Sequence, residues 1–134
     1  KHVNYPVISD DSGLCIKALN NKPGIYSARL AKKHGSFFKA MKFILKRMKN
    51  KKNRRATFVC SLSYKRNNGK IVSAEGRLKG NISYKIMGKK GFGYDSIFIP
   101  LMEKITFGQM LKSKKIKMDH RFIAFQKLKK KIRI

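Results

Sequence analysis

Residues 56–78 read ATFVCSLSYKRNNGKIVSAEGRL. Ala56 to Tyr64 is a strand by composition, Asn67-Asn68-Gly69 a tight turn, and Lys70 to Leu78 the returning strand. Asn-Gly supplies the positive φ angles that such turns need, so this stretch predicts an antiparallel hairpin.

Upstream, Ser36 is a good N-cap for a helix running to about Met48. Phe37, Met41, Ile44, Leu45 and Met48 recur at three- and four-residue spacing and form one apolar face, and the last turn is basic, as the helix dipole prefers. Lys49 to Arg55 reads as a solvated connection. Nearer the start, Tyr5 to Ser9 reads as a short strand entering Asp10-Asp11-Ser12-Gly13, and Leu14 to Leu19 as a second strand. Asn20 to Gly24 is a turn cluster, and Tyr26 to Lys33 suits one or two helical turns.

Downstream come a looser strand at Ile82 to Ile86, a flexible glycine-rich loop from Gly88 to Gly93, and a short strand, Ile97 to Ile99, closed by Pro100. Thr106 is placed to cap a short helix through Met110. Asp119 caps a final helix with Phe122, Ile123, Phe125, Leu128 and Ile132 on its buried side. Strands and helices mix without strict alternation, which makes the class α/β with a mixed sheet. At 134 residues, 42% hydrophobic and 30% charged, the chain suits one globular core.

No apolar stretch is long enough for a membrane span, and no signal peptide opens the sequence. Cys15 and Cys60 lack the spacing of a metal or redox pair and read as small buried hydrophobes in a reducing, cytoplasmic setting. Lys and Arg number 34 against 6 acids, a formal net charge of +28. Such a surplus points to nucleic acid where it is clustered. Here the lysines run the whole length beside abundant Ile, Asn and Phe, as AT-rich codon usage produces. The field suits any anionic substrate. Against that background the six acids, Asp10, Asp11, Glu75, Asp95, Glu103 and Asp119, stand out, the adjacent pair most of all.

Two like charges at about 4 Å repel by about 4 kcal/mol at an effective dielectric of about 20. A hard cation such as Mg²⁺ offsets this, and it is commonly held by one or two carboxylates plus substrate phosphates. Neighbouring strand residues face opposite ways, so one of Asp10 and Asp11 points into a site, unless both cap a solvated turn. Gly91-Phe92-Gly93-Tyr94-Asp95 joins backbone freedom to a ring that can stack on a base and a carboxylate that can accept from one, or is an ordinary packed turn. His120-Arg121 at a helix N-terminus suits an anion or a purine carbonyl, or is a solvated first turn. The phosphate loop G-x-x-x-x-G-K-[ST], the dinucleotide motif G-x-G-x-x-G and a G-x-S-x-G nucleophile are all missing.

In order, Asp10-Asp11-Ser12-Gly13-Leu14, Pro23-Gly24-Ile25-Tyr26-Ser27-Ala28-Arg29, Phe58-Val59-Cys60, Gly91-Phe92-Gly93-Tyr94-Asp95, and Thr106-Phe107-Gly108 leading to His120-Arg121 resemble the inosine/xanthosine triphosphate pyrophosphatase family. The resemblance spans about Pro6 to Leu128. It implies an elongated mixed sheet flanked by helices in two lobes with a central cleft, usually in a homodimer. It further implies Mg²⁺-dependent hydrolysis of ITP, dITP and XTP to a monophosphate and pyrophosphate. By resemblance Asp11 is the catalytic acid, a metal ligand or the base for the attacking water, Asp10 supports it at the metal, and Ser12 contacts the nucleotide. Phe92, Gly93, Tyr94 and Asp95 hold base and sugar, Lys115 precedes the pair, and His120 and Arg121 read the purine's 6-keto group.

The family's N-terminal Ser/Thr-x-Asn-x-x-Lys phosphate loop and a metal-binding glutamate are not found, and the chain opens on Lys1 rather than Met. The expectation is a single domain over 1–134 without its N-terminal phosphate-binding segment, weak or inactive alone. Asp119 stands for the family's serine, Ser96 for a proline, Met87 for a frequent arginine and Gln109 for a frequent acid. The contrasting readings are a basic nucleic-acid-binding module without catalysis, and a pyrophosphatase for modified pyrimidines.

Overall fold

The computed structural model describes residues 5–132; the ends of the expected domain, 1–4 and 133–134, lie outside them. The fold is α/β, with a five-stranded sheet in the order β2-β1-β3-β4-β5. The strands are β1 (Val7–Ile16), β2 (Lys22–Gly24), β3 (Arg55–Lys65), β4 (Ile71–Ile82) and β5 (Phe98–Pro100). Every pairing among the described residues is antiparallel. The helices are α1 (Ser27–His34), α2 (Phe37–Arg47), the single turn α3 (Lys112–Lys115) and α4 (His120–Ile132).

The hairpin forms as the sequence predicts, but longer, with Lys65 facing Ile71. Its turn differs in mechanism. Gly69 alone takes the left-handed region, at φ 86°, while the Asn68 side chain accepts from the Lys70 amide at 3.0 Å. Alternation then sets the burial. Ala56, Phe58, Cys60 and Leu62 of β3, with Ala74 of β4, are buried on one face, whereas Arg55 and Ser61, and Ser73, Glu75 and Arg77 of β4, are exposed on the other.

Five of the local expectations change. Asp10 to Gly13 do not interrupt the strand: β1 runs through them because each residue from Val7 to Ile16 faces a partner on β3. Residues 17–19 form a 3-10 turn rather than strand, and Ser83 to Ile86 continue as irregular chain. Thr106 does not cap a helix. Its hydroxyl donates to the Met87 carbonyl at 2.6 Å, and its amide donates to the Gln109 side chain at 3.0 Å. On α4, Ala124 takes the buried place expected of Phe125, which is exposed.

Two apolar clusters share the covered face. Leu14, Ile16, Phe58, Phe98 and Phe107 pack with Ala40, Met41 and Ile44 of α2, whose first turn Ser36 caps by accepting from the Lys39 amide. Cys60, Leu62 and Ala74 pack with Ala124, Leu128 and Ile132 of α4. Asp119 caps α4, accepting from the Phe122 amide at 2.8 Å. Gly76 lets the helix start against the sheet: a Cβ there would lie 2.2 Å from the His120 carbonyl oxygen and 2.4 Å from the Ala124 nitrogen.

Gly76→Ala is therefore expected to lower stability by about 1–3 kcal/mol, as overpacking does. Urea unfolding measures it, and an unchanged midpoint would mean that the first turn of α4 is not held against β4.

Candidate active site

The residues singled out from sequence converge at the N-terminus of α4, with one exception. Ser12, Phe92, Gly93, Tyr94, Asp95, His120 and Arg121 all line one narrow recess of about 100 Å³. Phe58 stacks on His120 there, with ring centres 4.6 Å apart. Tyr94 fixes one wall, its hydroxyl donating to the Ser27 carbonyl and its ring meeting Phe37 edge-on. Burial pushes the Tyr94 phenol up to about 12. Ser27 also accepts from the Leu14 amide at 2.9 Å and donates to the Gly24 carbonyl at 2.7 Å. These bonds make it a structural tie, and only its place in the Pro23 to Arg29 block hinted at that.

Asp95 has structural contacts that the sequence did not show. Its carboxylate is 4% exposed and accepts from the Phe92 amide at 3.0 Å and from Lys115 Nζ at 2.6 Å. Lys115 is itself 5% exposed. Burial raises the Asp95 pKa, opposed by the hydrogen bonds from Lys115 and Phe92. Gly91 makes room, since a Cβ there would lie 2.3 Å from an Asp95 carboxylate oxygen. Asp95 thus ties the glycine loop to Lys115 and leaves Phe92 presented. The Phe92 ring is 63% exposed, with Lys115 Nζ 4.4 Å and the Arg121 guanidinium carbon 5.5 Å from its centre.

His120 is 5% exposed, and its Nδ1 is buried with no hydrogen-bond partner. Burial lowers its pKa to about 4, so the ring is neutral near pH 7. A neutral imidazole offers one donor and one acceptor. A buried, unpartnered polar atom costs about 1–3 kcal/mol.

The two neighbouring carboxylates are not brought together. Asp10 opposes Leu62 on the covered face, where both carboxylate oxygens meet Arg121. Its hydrogen bond to Asp10 raises the Arg121 pKa. Asp11 opposes Ser61, and hence shares the uncovered face with Glu75, away from the recess. Among the described residues Asp11 has no side-chain hydrogen bond or ion pair, and no group of three His, Cys, Asp or Glu is arranged to hold a metal. As a single exposed carboxylate, Asp11 fits the minimum that Mg²⁺ takes from a protein, whereas the oxygens of Asp10 are already engaged.

Next to the recess a broader trough of about 660 Å³ runs past Ile8, Asp10, Lys115, Arg121 and Phe125. A separate groove of about 900 Å³, lined by residues between Ala18 and Lys51, contains no acidic residue and none of the recess side chains. No helix among the described residues is long and apolar enough to cross a membrane.

Comparison with known proteins gives a consistent picture. The model of the Ham1 family matches residues 1–131. The dITP/XTP pyrophosphatase of Borreliella burgdorferi (strain ZS7) is 47% identical over 95% of this chain and 66% of its own length. That of Dictyoglomus thermophilum is 45% identical over 93% of this chain and 62% of its own. The solved structure of the Staphylococcus aureus Ham1 protein superposes with a TM-score of 0.89 at 37% identity, over 98% of this chain and 68% of that one. The chain spans just under two thirds of the length of these curated relatives.

Two stability measurements follow from the recess. Removing either Asp95 or Lys115 alone leaves the other buried without its partner and is expected to cost about 3–5 kcal/mol. Replacing both with apolar residues (Asp95→Leu with Lys115→Met) is expected to recover most of that loss in urea unfolding. For His120, the folded pKa of about 4 lies below the unfolded value of 6.5, so the unfolded chain binds the proton more readily. This contribution is intact above about pH 6.5 and declines as pH falls towards 4, by about 3 kcal/mol in full. His120→Phe keeps the stack on Phe58 and should flatten that slope. Asp95, whose raised pKa acts with the opposite sign, is common to both proteins and cancels in the difference.

Proposed function

The chain belongs to the Ham1 family, and on that premise we propose that it hydrolyses non-standard purine nucleoside triphosphates (ITP, dITP, XTP) to the monophosphate and pyrophosphate. The observation that carries this reading is the unpartnered Nδ1 of a buried, neutral His120 facing a recess that Arg121 and Phe92 also line.

A 6-keto purine suits those groups. Its O6 and N7 accept from the Arg121 fork, and its ring nitrogens and carbonyl offer the imidazole a complement. Adenine presents an amine where the keto group stands, and so sets donor against donor. Phe92, exposed and flanked by two cations, supplies the ring on which a base stacks. Gly93 and Tyr94 shape the wall, Ser12 lies within reach of the nucleotide, and Lys115, fixed by Asp95, holds positive charge at the trough.

For the cleavage, a divalent cation, Mg²⁺ in this proposal, neutralises phosphate charge when bound. Asp11 is the carboxylate free to meet it or to take the proton of the attacking water. The bond between the α- and β-phosphates breaks, and pyrophosphate leaves. A single ITPase-like domain, a homodimer and a cytoplasmic setting belong to the same reading.

Equilibrium binding of ITP, XTP, dITP, GTP and ATP, followed by pyrophosphate release with Mg²⁺, tests it. The release assay is run on the chain as it is and on the chain joined to the N-terminal third of a Ham1 relative. ITP and XTP are expected to bind about 10- to 100-fold tighter than ATP, the worth of one or two mismatched hydrogen bonds. GTP shares the keto group and so reports on the 2-position alone. Equal affinity for ATP would sink the assignment, and salt-resistant binding of oligonucleotides without hydrolysis would favour the basic-module reading instead.

A further inference from the structure

We infer that Asp10 is a positioning residue: it holds the guanidinium of Arg121 at the mouth of the recess beside Phe92, and it is not a metal ligand. The inference rests on the proposed reading of a keto purine by Arg121, and departs from that reading's expectation that both adjacent aspartates serve one metal.

The geometry on each side is fixed before any ligand arrives. Asp10 sits on β1 opposite Leu62, so the alternation of the strand aims it at the covered face. Arg121 is the second residue of α4, whose start is set by the Asp119 cap and by the backbone contact at Gly76. Between them Arg121 Nε donates to Asp10 Oδ2, and one Arg121 Nη lies 3.4 Å from Asp10 Oδ1 and 3.4 Å from Ser12 Oγ. Ser12 Oγ donates to Asp10 Oδ1 at 3.3 Å. Both oxygens therefore already accept hydrogen bonds. A divalent ion bound at them would compete with the guanidinium for the same lone pairs and repel its charge.

The use of the other acids points the same way. Of the six in the chain, four stand in ion pairs: Glu75 with Arg77, Glu103 with Lys114, Asp95 with Lys115, and Asp10 with Arg121. Asp119 caps α4. Asp11 is left without a partner among the described residues, on the uncovered face.

What the clamp supplies is preorganisation. An arginine at a half-exposed helix start samples many rotamers, and ordering it on ligand binding costs affinity. Held by Asp10 in a fork and turned toward Phe92, it meets a planar acceptor edge with that ordering already done.

The first measurement needs no nucleotide. In wild-type protein the Arg121 Nε–H resonance is expected to be visible near neutral pH and slow to exchange with solvent, and Asp10→Asn is expected to abolish that protection. A wild-type signal exchanging as fast as those of exposed arginines would overturn the clamp. The second is binding of ITP and ATP with metal chelated, then Mg²⁺ titration of the ITP complex. Asp10→Asn is expected to weaken ITP about tenfold, leave ATP and the Mg²⁺ midpoint unchanged, and add nothing further to Arg121→Met. Unchanged ITP affinity, or a raised Mg²⁺ midpoint with the ITP-to-ATP ratio intact, would return Asp10 to the metal. Wild-type protein that binds neither nucleotide would overturn the functional reading, while the Nε–H signal still decides whether Asp10 holds Arg121.

Discussion

The close approach of α4 to β4 at Gly76 sets everything at the recess. With no side chain at that position, the first turn of the helix rests on the sheet backbone. His120 is thereby pressed against Phe58, out of water, and Arg121 is left at the rim facing β1. A helix start held even slightly further out would hydrate the imidazole and restore its ordinary titration. It would also part Arg121 from Asp10. The burial that makes His120 neutral and the clamp that makes Arg121 directional are consequences of the same missing methyl group.

The continuity of β1 is the second constraint. Because the strand pairs with β3 without a break from Val7 to Ile16, adjacent residues belong to opposite faces, and two aspartates that look like a pair along the chain are separated by the sheet itself. A turn at Asp10-Asp11-Ser12-Gly13 would have allowed both carboxylates to converge. The ladder removes that freedom, and with it the arrangement in which like charges would need a cation between them. Asp10 finds its counter-charge in Arg121, while Asp11, on a face still open, keeps its oxygens in water.

The sequence was most legible where local chemistry and tertiary packing agree. The hairpin, the Ser36 cap with its apolar stripe, and the Asp119 cap are each specified by residues within a few positions of one another, and all appear, although Phe37 at the head of the stripe is exposed. It misled where local chemistry was overruled from a distance. Asp-Asp-Ser-Gly has turn composition, but β3 pairs with it regardless. Thr106 has a cap's hydroxyl, but the Met87 carbonyl takes that hydroxyl and Gln109 takes its amide. Most of the residues singled out along the chain do lie together at one recess, while their mutual contacts were not readable. Nothing along the chain shows that Asp95 reaches a lysine twenty positions on, or that Asp10 meets an arginine on the last helix.

The charge balance makes sense of this division of labour. With 34 cationic side chains and six acids, an acid left near a cation will be neutralised by it unless the backbone aims it elsewhere. Asp95 and Asp10 are each committed to one cation, and in both cases that cation also lies near the Phe92 ring. The committed acids therefore act as holders of positive charge around an aromatic platform, a use that an anionic, aromatic ligand rewards and a bare metal does not. Of the other cations, Arg54 ties the Met48, Ile82 and Ser83 carbonyls together, and Arg77 and Lys114 pair with Glu75 and Glu103 away from the recess, while most of the rest lie at exposed positions and add to a general field. Specificity, on this argument, comes from the few cations that a buried or half-buried carboxylate keeps in place.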